Sequence, residues 1–468
     1  MRTRWERVKI AVTIGPASAS PKVLERMLVE GVDAVRINAS HVEPEAVGYW
    51  VERIRRAGRR VGRDVAVLLD LQGIKRRIGD LKEPIRLTEG ETVVLADRGG
   101  EGRIPVRLAL ILPHLRRGAA LFLSDGFLRL EVLSVKKHEV KGRVVRGGLL
   151  KSRAGINLPG LPVLTSVPTR RDVEHVRAGV KAKVDFLALS FVREAKDLVR
   201  CRRHAAGIPI IAKIERPEAV ANIDTITAAS DGILIARGDL AVEMRPEELP
   251  VLQKSLIGAA KRARKPVMVA TEMLASMVHS PRPTRAELLD VGNAVLDGAD
   301  ATLLSDETAI GHDPARAVRY MQRILSTVEN SLLTYDLELP RLTGRAGSRP
   351  DWAVADAAVD VAKKVGARAI VTITGSGRTA RLISADRPSV PIYSFATDPA
   401  VRRRVALMWG VSADTVKPIR DPEKILAHTL ERLRRDGSLR KGDLVVCVYG
   451  SPIWAPGTRT NTVRVARA

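Results

Sequence analysis

A repeated alternation of short apolar runs with helical stretches constrains the fold of this chain more than any other feature. Three apolar runs precede residue 74 and five follow residue 161, and they lie at 9–15, 34–40, 65–71, 186–190, 208–215, 232–237, 266–271 and 301–305. Runs of this length, rich in β-branched residues and separated by helices, indicate parallel strands buried on both faces. Eight βα units in about 250 residues predict a TIM (β/α)8 barrel, whose active site lies at the carboxyl ends of its strands.

The alternation is interrupted between residues 74 and 160. Short alternating runs there are separated by glycine and proline, and no helical pattern is visible. These features predict an inserted all-β domain, a small β-barrel that acts as a lid. The TIM barrel would then consist of residues 1–73 and 161–333.

Residues 346–468 return to the α/β pattern after an irregular stretch. A helix at 352–365 and strands at 369–374 and 444–449, with helices between them, predict a third domain. The predicted fold class is therefore α/β: a TIM barrel with an inserted all-β lid domain and a C-terminal α/β domain.

A turn rich in glycine and hydroxyl groups follows the first strand of this third domain. Its residues include Thr374, Ser376, Gly377, Arg378 and Thr379. A strand, a turn of this composition and a helix N-terminus together indicate a phosphate site. A second Gly/Pro-rich loop, at 450–461, adds Arg459, and ordinary turn chemistry is the alternative for both loops. The first turn lacks the lysine of a P-loop, which argues against a nucleoside triphosphate site there.

The composition excludes several classes of protein. The net charge is +25 and most of the 78 basic residues are arginines, but aromatic residues make up only 3% of the chain. Because bases stack on aromatic side chains, this composition favours an arginine-rich surface over a nucleic-acid interface. No apolar run reaches the roughly 18–20 residues of a membrane span, and the charged start has no apolar signal segment. Two distant cysteines support neither a disulfide framework nor a zinc cluster, and we expect a cytoplasmic protein.

Charged residues follow two neighbouring strands in the middle of the chain. Lys213 and Glu215 are two residues apart, so on a strand their side chains point to the same side. If Asp239 ends the next strand, a second carboxylate converges on the same point. Two carboxylates beside a lysine suit a divalent cation, and the pattern predicts a Mg²⁺ site. The alternative is a structural salt bridge at a strand end.

The other predicted strands also end in polar residues. These residues are Arg36, Asn38, Ser40, Asp70, Ser190, Thr271, Ser305 and Glu307. Because the strand ends share one rim of a TIM barrel, we expect the side chains to surround a common site.

Several longer segments carry recognisable motifs. They are VTIGPAS at 12–18, RINASH at 36–41, LDLQG at 69–73, NLPG at 157–160, ALSFVR at 188–193, AKIE at 212–215, DGILIARGDL at 231–240, PVMVATEML at 266–274, PRPTRAE at 281–287 and LSDETA at 304–309. In these motifs and in domain order, the chain resembles the pyruvate kinase family over nearly its whole length. The set is highly specific, although a lone Arg-Gly-Asp would mean little.

The resemblance implies transfer of the phosphoryl group of phosphoenolpyruvate to ADP, giving pyruvate and ATP, the last step of glycolysis. Phosphoryl transfer requires mainly positioning and charge neutralisation. The resemblance assigns contacts with the moving phosphoryl group to Lys213, Arg36 and Arg77. It assigns Mg²⁺, or Mn²⁺ in its place, to Glu215 and Asp239.

The same resemblance implies the remaining substrate contacts. Phosphoenolpyruvate would be bound by Lys213, Thr271 and the backbone N–H groups of Gly238 and Asp239, and the path of the proton to the enolate would be lined by Thr271, Ser305 and Glu307. A hydroxyl group is a weak acid at neutral pH, so a water relay that ends at the glutamate or at solvent is expected. Nucleotide contacts are expected at Arg36, Asn38, Arg77 and Arg153, and at His41, for which a plain surface histidine is the alternative.

Two departures from the family pattern alter these expectations. Lys75 replaces a glutamate that is associated with a required K⁺, and the K⁺ oxygens align with Asn38, Ser40 and Asp70. An ammonium group can satisfy the same oxygens, which predicts that K⁺ is not required. The alternative is a solvent-facing lysine with K⁺ still bound. Ala154 replaces a lysine expected to reach the nucleotide phosphates, and the preceding Arg153 is the candidate substitute.

The resemblance also implies a homotetramer and a phosphorylated allosteric effector, bound by the turn at 374–379 together with Arg459. Three other functions are weighed against catalysis of this kind. A catalytically weak sensor of phosphorylated ligands would explain the departures from the family pattern, and a nucleic-acid-binding protein would use the basic surface. An aldolase-type barrel would explain the Glu/Asp pair but neither the insertion nor the third domain.

Overall fold

A computed structural model describes residues 7–74, 76–97, 99–100, 102–112, 115–124, 126–158, 166–334, 349–455 and 457–468. The first part of the barrel contains β1 Lys9–Thr13, α1 Pro21–Glu30, β2 Ala34–Asn38, α2 Val47–Arg60 and β3 Ala66–Asp70. Helix α1 begins where its sequence predicts, because the Ser20 side chain accepts a hydrogen bond from the N–H of Val23 and Pro21 occupies the first turn.

None of the helices in the described ranges combines the length and apolar character that crossing a membrane requires.

The described residues of the insertion form nine strands. They are β4 Arg76–Arg77, β5 Ile85–Leu87, β6 Thr92–Ala96, β7 Arg103–Pro105, β8 Ala120–Leu123, β9 Leu128–Lys136, β10 Glu139–Arg146, β11 Gly148–Leu150 and β12 Gly155–Asn157. Seven form a mixed sheet in the order β4-β12-β8-β9-β10-β6-β7, and β11 pairs with β5. The prediction of an all-β domain is confirmed. The sheet is a curled half-barrel rather than a closed barrel, because the short edge strands meet in the described residues only at one bridge, Ile78–Val106.

The second part of the barrel resumes the alternation. Its elements are α3 Arg170–Ala182, β13 Phe186–Leu189, α4 Ala195–Arg202, β14 Ile210–Ile214, α5 Pro217–Ala221, α6 Ile223–Ala229, β15 Gly232–Ala236, α7 Arg237–Glu243, α8 Leu249–Arg262, β16 Val267–Ala270, α9 Arg285–Asp297, β17 Ala301–Leu304, α10 Asp306–Ala309 and α11 Pro314–Thr334. Eight parallel strands close in the order β1-β17-β16-β15-β14-β13-β3-β2. The predicted TIM barrel is confirmed, and its strand ends form one rim.

The C-terminal part forms a separate sheet. Its elements are α12 Pro350–Lys364, β18 Ala369–Ile373, α13 Arg378–Ala385, β19 Ile392–Ala396, α14 Pro399–Val405, β20 Val411–Thr415, α15 Pro422–Arg435, β21 Leu444–Tyr449 and β22 Thr462–Arg467. The strand order is β20-β19-β18-β21-β22, with β22 antiparallel to its neighbour. The prediction of an α/β domain is confirmed.

The barrel interior is filled by small and large side chains that point inward from the strands. They include Ala11, Ala34, Ala66, Leu68, Phe186, Ala188, Ile211, Leu234, Met268 and Leu303, and Leu407 of the C-terminal domain joins the same cluster. Close packing of this kind makes the barrel a rigid support for its rim.

The C-terminal domain is also held to the barrel by buried charge pairs. Arg264, between α8 and β16, is 1% exposed, lies 3.1 Å from Asp386 and forms a second ion pair with Asp356. Its guanidinium also lies 4.8 Å from the ring centroid of Trp352. Because an uncompensated buried charge costs several kcal/mol, these partners tie the two domains together.

Candidate active site

Lys213, the penultimate residue of β14, is at the centre of the site. Its Nζ lies 2.8 Å from Glu215 Oε1 and 3.2 Å from Asp70 Oδ1, and it donates a 2.8 Å hydrogen bond to Ser190 Oγ. Burial alone would lower the pKa of Lys213, but the carboxylates of Asp70 and Glu215 outweigh burial and raise it. A charged ammonium, with 12% of its side chain exposed, is therefore held at the carboxyl end of the barrel.

Arg36 lies on the other side of Asp70. Its Nε donates a 2.6 Å hydrogen bond to Asp70 Oδ2, and its Nη1 donates to Thr13 Oγ1 at 3.0 Å. Burial would raise the pKa of Asp70, but Lys213 and Arg36 lower it below its ordinary value. Asp70 is thus a carboxylate that orients two cations, and both cations face the rim.

Glu215 directly follows β14 and is 1% exposed. Its Oε2 accepts a 2.7 Å hydrogen bond from the N–H of Phe191. Burial raises the pKa of Glu215; Lys213 opposes the shift, and the negative charge of Asp239 adds to it. The negative charge of Asp239 therefore acts on Glu215, and their joint binding of a metal stays a prediction.

The structure corrects the position of Asp239. Strand β15 ends at Ala236, so Asp239 lies in the first turn of α7 and not at a strand end. Because α7 begins at Arg237, the N–H groups of Gly238 and Asp239 belong to a first helical turn. Gly238 is packed closely against Thr271, since a Cβ at position 238 would lie 2.7 Å from Thr271 Cγ2.

Thr271 directly follows β16, Ser305 directly follows β17, and Glu307 lies in α10. Glu307 is 2% exposed; its Oε1 accepts a 3.0 Å hydrogen bond from the N–H of Leu274 and its Oε2 a 2.6 Å bond from the N–H of Ser305. Burial raises the pKa of Glu307, although these backbone donors oppose the shift. Its carboxyl group therefore links the loops that carry Thr271 and Ser305.

The residues predicted to contact the nucleotide lie between the barrel and the insertion. Arg77 donates a 3.0 Å hydrogen bond to the backbone oxygen of Arg153, whose guanidinium pairs at 2.8 Å with the exposed Asp80. Burial lowers the pKa of His41, and the positive charges of Arg77, Arg36 and Arg153 lower it further. These residues are therefore neighbours, although Arg153 already has a carboxylate partner.

The oxygens predicted for the monovalent-cation site also lie on the rim. Asn38 and Asp70 are register partners in β2 and β3, and Asn38 Oδ1 accepts a 3.1 Å hydrogen bond from the N–H of Ser40. Lys75, the residue predicted to replace the cation, lies outside the described residues.

The two glycine-rich loops of the C-terminal domain line one cavity of about 460 Å³. Thr374, Ser376, Arg378, Thr379 and Arg459 all contribute to its wall, together with Gly375, Gly450, Trp454 and Gly457. Gly377 has a φ of 84° and its N–H donates a 2.9 Å hydrogen bond to Thr374 Oγ1, so the turn before α13 is fixed. The loops join through Thr379 Oγ1 and Thr460 Oγ1, 2.9 Å apart.

Some contributors to the site had no role assigned from sequence. The sequence predicts Ser190 only as a polar strand end, yet its Oγ accepts a hydrogen bond from Lys213 and donates a 2.7 Å hydrogen bond to the backbone oxygen of Leu71. The backbone N–H of Phe191, which binds Glu215, has no side-chain signal in the sequence. The motif at 281–287 contains a capping box, because Thr284 Oγ1 accepts from the N–H of Glu287, whose carboxylate accepts in turn from the N–H of Thr284.

Two family models match the chain: "Pyruvate kinase, barrel domain" over residues 5–318 and "Pyruvate kinase, alpha/beta domain" over residues 352–466. A pyruvate kinase of Geobacillus stearothermophilus is 38% identical over 98% of this chain and 80% of its own length. A pyruvate kinase of Corynebacterium efficiens is 39% identical over 97% and 96% of the two chains, and one of Agrobacterium vitis is 39% identical over 99% and 98%. The chain therefore belongs to the pyruvate kinase family and is an enzyme of that class, EC 2.7.1.40.

Proposed function

We propose that this chain transfers the phosphoryl group of phosphoenolpyruvate to ADP in a Mg²⁺-dependent reaction, giving pyruvate and ATP. The single observation that carries the proposal is the ammonium of Lys213, which lies 2.8 Å from Glu215 and 3.2 Å from Asp70 at the rim of the barrel. A cation held between carboxylates at this position suits a reaction in which negative charge moves between oxygens.

Three cations neutralise the transferred group in this proposal. Lys213 and Arg36 face the rim from β14 and β2, and Arg77 reaches it from the insertion. Because Asp70 fixes Lys213 and Arg36 through short contacts, little reorganisation is required when charge develops on the phosphoryl oxygens.

The donor set fits a divalent metal. Three carboxylates, Asp70, Glu215 and Asp239, accompany the two cations Arg36 and Lys213. Burial raises the pKa of Glu215, and the negative charges of Asp239 and Asp70 add to the shift. Hard oxygen ligands of this kind suit Mg²⁺, and Mn²⁺ as its substitute. When bound to Glu215 and Asp239, the ion supplies positive charge that stabilises the oxygens of substrate and phosphate.

Protonation of the enolate involves the opposite side of the site. We assign binding of the substrate carboxylate to the N–H groups of Gly238 and Asp239, next to Thr271. Thr271 and Ser305 would then line the path of a proton that is delivered through water. Both oxygens of Glu307 already accept backbone N–H groups, which supports a role in holding this path in position.

ADP would bind between the barrel rim and the insertion. The positive charges of Arg36, Arg77 and Arg153 all lower the pKa of His41, which supports a cationic surface for the phosphates of ADP. Asn38 lies on the same rim. Arg153 would compensate for the absence of a lysine at Ala154, and it would exchange its pairing with Asp80 for a phosphate.

We further propose that turnover does not require K⁺, because Lys75 supplies the charge. The arrangement of Asn38, Ser40 and Asp70 on one rim supports this assignment. Rates are compared in buffer free of Na⁺ and K⁺ and again with KCl, and we expect them to be equal. Lys75→Glu should make the rate depend on KCl, whereas an unmodified enzyme that works only with KCl would contradict the assignment.

The cavity of the C-terminal domain is proposed to bind a phosphorylated allosteric effector. Its wall contributes hydroxyl groups, a fixed glycine turn and the guanidinium groups of Arg378 and Arg459. Backbone N–H groups at the start of the eight-residue helix α13 add to a phosphate-binding surface. The chemical class of the effector is therefore a small organic phosphate.

A homotetramer in the cytoplasm is proposed, with no nucleic acid and no membrane as partner. Helix α9 supports contact between copies because Leu288, Leu289 and Leu296 are 38%, 70% and 41% exposed. Leu289→Glu should reduce the molar mass measured by light scattering. An unchanged mass would place the contact elsewhere.

The principal test is formation of pyruvate from phosphoenolpyruvate and ADP with Mg²⁺. Lys213→Met preserves the length of the side chain but removes its charge, and we expect kcat to fall by at least about 10²-fold. Lys254→Met is the matched control, because Lys254 is exposed and pairs with Asp297 on the outside of the barrel. Equal loss in both variants would contradict the role of Lys213, and absence of turnover in the unmodified chain would favour a sensor.

A further inference from the structure

The turn that follows β16 has an unusual backbone. Thr271 and Glu272 are consecutive and have φ values of 75° and 53°, in the left-handed region that non-glycine residues rarely adopt. A β-branched residue is especially unfavourable there. Strain of this kind persists only where the surrounding structure imposes it, and it is concentrated at functional sites.

Arg237 is hydrogen-bonded to this turn. Its Nε and Nη2 donate hydrogen bonds of 3.2 and 2.7 Å to the backbone oxygen of Thr271, and Nη2 donates to the backbone oxygen of Glu272 at 3.3 Å. Nη2 also lies 3.1 Å from Met273 Sδ. One guanidinium group thus binds three consecutive residues of the turn.

The opposite edge of the same guanidinium is anchored to the outer helices. Its Nη1 lies 2.8 and 2.7 Å from the two carboxylate oxygens of Asp290 on α9, and 3.5 Å from Gln253 Oε1 on α8. Gln253 Nε2 in turn donates a 2.8 Å hydrogen bond to Asp297. Asp290 therefore fixes the direction in which Arg237 presents its other donors.

Arg237 also begins α7, the helix that contains Gly238 and Asp239. Its backbone thus belongs to the segment proposed to bind substrate and metal, while its side chain holds the segment proposed to line the proton path. Arginine suits this side-chain role because its planar guanidinium carries donors on two edges.

We propose that Arg237 is a positioning residue for the protonation step, which orients Thr271 by holding its strained turn against Gly238. The proposal rests on the function assigned above to Thr271. Without the guanidinium, the turn relaxes towards ordinary φ values and the Thr271 side chain leaves its place. Binding of phosphoenolpyruvate should be affected less than protonation.

The test separates these steps by two measurements. Steady-state rates give kcat and KM for phosphoenolpyruvate, and exchange of the pyruvate methyl protons with deuterium in D₂O is followed by NMR with Mg²⁺ and ATP. Exchange removes a proton from the methyl carbon to give the enolate and returns a deuteron from solvent. For Arg237→Lys we expect exchange and kcat to fall by about 10- to 100-fold while KM changes less than about threefold.

Two further variants sharpen the test: one weakens the anchor of the guanidinium, and the other is a control on the surface. Asp290→Asn retains the guanidinium bonds to Thr271 but weakens their anchor, and exchange should fall by about threefold to tenfold. Arg245→Gln removes an exposed arginine that pairs with Glu248 just beyond α7, and its rates should match the unmodified enzyme.

Each outcome decides a different point. Unchanged exchange in both Arg237→Lys and Asp290→Asn would overturn the positioning role, as would a rise in KM with kcat unchanged. Absence of turnover in the unmodified enzyme would overturn the proposed function and this inference with it. Normal turnover of the unmodified enzyme with unaffected variants would overturn the inference alone.

Discussion

A methyl group at position 238 would test how tightly the substrate end of the site is packed. A Cβ on Gly238 would lie 2.7 Å from Thr271 Cγ2, whereas ordinary contact begins at 3.4 Å. One group must therefore move by about 0.7 Å, and Thr271 cannot yield easily because Arg237 holds its backbone. The helical backbone of α7 accepts alanine, which favours a helix by up to about 1 kcal/mol over glycine, so the expected damage comes from the contact alone.

The magnitude follows from this displacement. A misplacement near 1 Å at a catalytic site can cost about 10²-fold in rate, so Gly238→Ala should lower kcat/KM by about 10- to 100-fold. Thr271→Ser retains the hydroxyl group and lacks the Cγ2 atom that would collide. The double variant should therefore be more active than Gly238→Ala alone, with a coupling of about 1–2 kcal/mol in a double-mutant cycle.

The assay is steady-state pyruvate formation by the unmodified enzyme, both single variants and the double variant. Circular dichroism checks that all four are folded alike. Additive losses from the two substitutions would refute the reasoning, because the collision between positions 238 and 271 would then not limit the rate. A Gly238→Ala variant with full activity would show that the turn at Thr271 moves freely.

Three other results are expected. Removal of divalent metal with EDTA should abolish turnover, and Asp239→Asn should weaken Mn²⁺ binding measured by electron paramagnetic resonance at least about tenfold. Burial, with Arg387 nearby, lowers the pKa of Lys261 from 10.5 to about 7 although Asp300 opposes the shift. Between these two pKa values the unfolded chain binds more protons than the folded chain, so the stability of the fold should rise with pH. The midpoint of thermal unfolding measures this rise, and Lys261→Met should flatten it. An unchanged slope in this variant would contradict the assignment. Arg378→Gln should remove the rate response to organic phosphates, and a retained response would exclude Arg378 from the effector site.

The sequence predicts the site correctly where residues are related by the regular repeat of a strand or by the repeated βα units. Lys213 and Glu215 share a side because strand residues alternate, and the structure places their charged atoms 2.8 Å apart. Strand ends that share one rim also follow from eight βα units, so the neighbourhood of Arg36 and Asp70 was expected. The helix N-terminus at Arg378 followed from the turn before it.

The same approach failed where local geometry departs from the regular period. Asp239 was expected at a strand end, but β15 stops at Ala236 and a helix begins at once. The insertion, predicted as a small β-barrel, is a curled half-barrel, because its edge strands are too short to pair along their length. The left-handed φ of Thr271 has no sequence signal, because threonine ordinarily avoids it.

The sequence alone determined the order and type of the elements, the barrel rim as the place of the site, and the residue types that stand there. These properties depend on burial and periodicity, which neighbouring residues encode. Only the tertiary structure decided which distant groups meet: Arg237 with Asp290, Leu407 with the barrel interior, and Gly238 with Thr271. The physical reason is that such contacts depend on strand register and on loop paths, which exist only once the sheet has closed.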